Sequence, residues 1–95
     1  MREVPTDLPG HALIADGLGD LAAGRRTEAA LVVAMAAPRL RRLGYEVASD
    51  NTEMPSHELY DLLSDADPAG AHGRYNALVR QVVSFARAAE HAASG

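Results

Sequence analysis

The chain has 95 residues, which is enough for one hydrophobic core and not for two. Its net charge of -4 and pI near 5.4 argue against a generic nucleic-acid or anionic-membrane binder, and the absence of cysteine removes disulfides, thiolate metal sites and cysteine nucleophiles. Hydrophobic residues make up 47% of the chain, but 19 of them are alanine, so with one Phe and no Trp the core must come from Leu and Val packed over small surfaces.

Residues 1–10, with Pro5, Pro9 and Gly10, read as an arm leading into a single helical domain over 11–93. The opening five residues carry no apolar signal-peptide region, and the longest apolar run, 29–38, is half of the roughly 20 residues a bilayer-spanning helix needs. A cytoplasmic protein with no membrane segment is the expectation. Over 11–23, Ile14, Leu18, Leu21 and Ala22 follow helical spacing, with Asp16 and Asp20 on the other side. Gly17 and Gly19 each cost such a helix about 1 kcal/mol relative to Ala, so they either admit a close neighbour or weaken it. Gly24 suits the C-terminal cap.

Thr27 is a credible N-cap for a second helix, in which Leu31, Val32, Val33 and Met35 spread over more than a third of the circumference. This helix should be the most buried. With a glycine-weakened helix before it and a short one after it, some of those four residues are expected to meet a second copy, with a homodimer as the specific expectation. Running the helix straight on to Leu43 would place Arg39 and Arg42 among apolar positions, and Pro38 supplies the reason for a kink or restart.

Residues 44–55 read as a loop from Gly44, Ser49, Asp50, Asn51 and Pro55, with Tyr45 and Val47 a short apolar alternation that has no strand to pair with. Ser56 is expected to cap a short helix to about Leu63, with Leu59, Tyr60, Leu62 and Leu63 clustered on one side. Asp67 and Pro68 then supply an N-cap and a first-turn proline for the longest helix, 68–92. There Tyr75, Leu78, Val79, Val82, Phe85, Ala86 and Ala89 share an arc opposite Asn76, Arg80, Ser84, Arg87 and His91. The expected fold is all-α: a compact bundle of about four helices, the second kinked near Pro38 and the last longest.

Chemistry-bearing residues are sparse. His57 and Asp61, one helical turn apart and joined by Glu53 or Glu58, form half a metal site, but they lie opposite Leu59 and Leu63 where polar residues belong on any amphipathic helix. No metal, cofactor or catalytic residue is therefore assigned. Arg39, Arg41 and Arg42, with Arg25 and Arg26 at the preceding turn, form the best candidate interaction patch; charge compensation at a helix end is the plainer reading. Arg87 and His91, an arginine followed by a histidine on a late helix, resemble the active-site pair of the HEPN ribonucleases, which would imply nuclease chemistry at those residues. Only three residues separate them here, a shorter interval than in that family's motif, and a solvent-facing stripe explains both. The favoured function is a non-enzymatic helical protein–protein interaction module. A nucleic-acid-associated regulator working through the five arginines is the alternative, and a small HEPN-like nuclease a third.

Overall fold

In the computed structural model, which describes residues 3–48 and 54–94, every regular element is a helix: α1 (His11–Ala22), α2 (Glu28–Met35), α3 (Ala37–Arg42), α4 (Pro55–Ala66) and α5 (Ala71–Ser94). The radius of gyration, 12.9 Å, is near the roughly 12 Å of a compact chain this long, so the helices form one bundle. No helix is long and apolar enough among these residues to cross a membrane. The expected kinked second helix is the pair α2 and α3. The break falls at Ala36 (φ -97°, ψ 8°), because Pro38 has no N–H to offer the Ala34 carbonyl and its ring crowds that position. Pro38 then sits in the first turn of α3, where an N–H would have no partner anyway.

Local chemistry sets each boundary. Thr27 caps α2 by accepting a hydrogen bond from the Ala30 N–H at 3.1 Å. Both α1 and α3 end on a left-handed glycine. Gly24 (φ 78°) lets Arg25 N–H reach the Asp20 carbonyl at 2.8 Å, and Gly44 (φ 98°) lets Tyr45 N–H reach the Leu40 carbonyl at 3.1 Å. The second of these turns has a packing consequence. It folds the chain back so that Tyr45, 3% exposed, enters the core and meets Phe85 with ring centroids 5.8 Å apart.

Two expected boundaries are revised. Helix α4 begins at Pro55 rather than after Ser56, since proline is preorganised for the first helical position, and it continues past Leu63 to Ala66. Residues 68–70 form a turn closed by Gly70 N–H on the Asp67 carbonyl at 3.2 Å, so α5 starts at Ala71 rather than Pro68. Ser49, Asp50 and Asn51 of the expected loop, and Glu53, lie outside the described residues.

The core is centred on Ile14, Leu31, Val33, Leu40, Leu59 and Phe85, all 0% exposed. On α5 the buried Leu78, Val82, Phe85, Ala86 and Ala89 lie on the expected apolar arc, while Arg80, Ser84, Arg87 and His91 are exposed. Helix α1 crosses α2 at Gly17, where an added Cβ would collide with the Val33 side chain and the Ala29 carbonyl. Of the two readings of that glycine, close approach is the one realised. Residues 3–10 are not separate from this body: Val4 and Leu8 pack against the core, and the backbone of Gly10 lies beside the Gln81 carbonyl.

Candidate functional site

The arginines that are clustered in the sequence are dispersed in space. Arg25 binds Asp20 at 3.0 Å, and Arg26 reaches across to α4 to hold Glu58 with both arms of its guanidinium at 2.5 Å. Arg39 forms an ion pair with Glu90 of α5. Arg41 points the other way and donates to the Val47 carbonyl at 2.9 Å. Arg42 is exposed and stands near Glu90. The five therefore form no single basic face: two guard the α1–α2 turn, two face α5 and one closes the segment after α3.

These pairs leave their mark on the acids. Asp20 accepts a hydrogen bond from the Thr27 hydroxyl at 2.6 Å, which together with Arg25 holds its carboxyl below the ordinary range. The Arg39 hydrogen bond lowers Glu90 in the same way, helped by the charges of Arg42 and Arg87, and Glu90 in turn raises Arg39.

Two recesses adjoin α5. The first, of 470 Å³, lies among α1, the start of α2 and α5, and its walls are Asp16, Asp20, Thr27, Glu28 and Arg74. Its charges are largely satisfied from within, since Arg74 pairs with Glu28 at 3.2 Å and Asp20 is held by Thr27 and Arg25. The second is an open groove of 310 Å³ between α2–α3 and α5. Val32, Val79 and Val82 form its floor, Met35 and Val83 its lips, and Arg39 and Arg42 its rim. Val83 is 37% exposed, so one lip is an apolar side chain standing in water. Two ion pairs join α2–α3 to α5: Arg39, on the rim of this groove, holds Glu90, while Glu28 and Arg74 meet at the wall of the first recess.

Of the residues expected at a dimer contact, Leu31, Val32 and Val33 are at most 1% exposed within the single chain. Leu31 and Val33 are covered by the helices packed on α2, Val32 lies at the floor of the groove, and Met35, half-buried at its lip, is the most accessible of the four. His57 and Asp61 are exposed, Glu58 is engaged by Arg26, and no group of three His, Asp or Glu is placed to hold a metal among the described residues. Arg87 and His91 lie exposed on the outer side of α5 and line neither recess. The groove itself was not assembled by sequence reasoning. Its signal was the exclusion of Arg39 and Arg42 from the apolar face of α2 together with the width of the α5 arc at Val79 and Val83.

No protein-family model matches the chain, and no curated protein or solved structure matches it either.

Proposed function

We propose that this chain is a non-enzymatic helical module that binds another protein through the groove between α2–α3 and α5. The observation that carries the reading is the pairing of an apolar floor with an exposed apolar lip and a guanidinium rim, the anatomy of a hydrophobic contact with a polar border. The nucleic-acid reading is weakened by the dispersal of the arginines and by their carboxylate and carbonyl partners. The nuclease reading is weakened by the position of Arg87 and His91 outside both recesses. A cytoplasmic setting suits a chain without cysteine. A second copy of the chain is the other candidate occupant, and it would meet Met35 and Val83 over the Val32 floor rather than the buried Leu31 and Val33.

The test is affinity purification from the native cell with the wild-type chain and with Val83→Glu. One protein retained by the former and lost from the latter is the expected outcome. Partners held equally by both, or a nuclease-sensitive, salt-labile nucleic acid in their place, would overturn the proposal.

A further inference from the structure

We draw no further inference here: the strongest candidate, the open apolar groove between α2–α3 and α5, belongs to the site already described, and nothing in the structure shows what covers it.

Discussion

On one flank of α2 the neighbouring helix comes in over a glycine; on the other it is held off by valines and a methionine. Gly17 lets the α1 backbone settle against Ala29 and Val33, and nothing is left between the two helices. On the opposite flank Met35, Val79, Val82 and Val83 keep α2–α3 and α5 apart, and the restart at Ala36 turns α3 so that Arg39 meets Glu90 instead of closing the gap. Both flanks are apolar, so hydrophobicity alone does not decide which one seals. The size of the side chain at the crossing does, because it sets how near the backbones can come before dispersion contacts saturate.

The sharpest test of this contrast is at the base of the open flank. Val82→Asp puts a carboxylate at a site only 5% exposed and should cost about 3 kcal/mol or more, enough to unfold much of the protein, while Arg80→Asp on the outer face should shift stability by no more than about 0.5 kcal/mol. Chemical denaturation of the pair decides it; similar midpoints would mean that α5 does not present the face described. On the sealed flank, Gly17→Ala should destabilise by about 1–3 kcal/mol, since the added methyl meets a backbone carbonyl as well as a side chain. Gly19, two residues on, has open space around its Cβ position, so Gly19→Ala should stabilise by about 0.5–1 kcal/mol. Opposite signs from one methyl in one helix mark the seam, and equal signs would erase it.

The smallest effect belongs to the ion pairs at the surface. The carboxyls of Asp20 and Glu90 are held below their unfolded values, so each favours the folded state above the ordinary carboxylate range. That contribution fades as pH falls through the range toward the lowered values. Thermal midpoints followed by circular dichroism should therefore drop on acidification, and slightly less steeply for Glu90→Gln. Superimposable profiles would show that the exposed Arg39–Glu90 pair contributes nothing to folding, a common result for surface pairs.

Most of the architecture was legible because its signals are local. The α5 arc, the Thr27 cap, the left-handed Gly24 and the interruption by Pro38 each involve residues within a turn or two of one another. Tyr45 and Val47 look like loop residues in the sequence, since nothing in their own neighbourhood indicates that the Gly44 turn folds them into the core, where Tyr45 meets Phe85. The arginines misled for the same reason. Adjacency along the chain suggested one patch, whereas their partners lie as far as 51 residues away and pull them to different sides. The groove needs α2, α3 and α5 in register, and no local pattern encodes that.

The ion pairs that tie the helices together share one chemical trait with a consequence of its own. All nine basic residues of the chain are arginine, and lysine is absent. A guanidinium offers a planar fork to a carboxylate, which is how Arg26 holds both oxygens of Glu58, and it does not give up its proton at any pH the protein meets. The same choice leaves these 95 residues without a side-chain amine. Acetylation, isopeptide conjugation and imine chemistry directed at lysine have no side chain here to act on, so among the groove's own lining a covalent change would fall on the Met35 thioether or on the guanidiniums of Arg39 and Arg42.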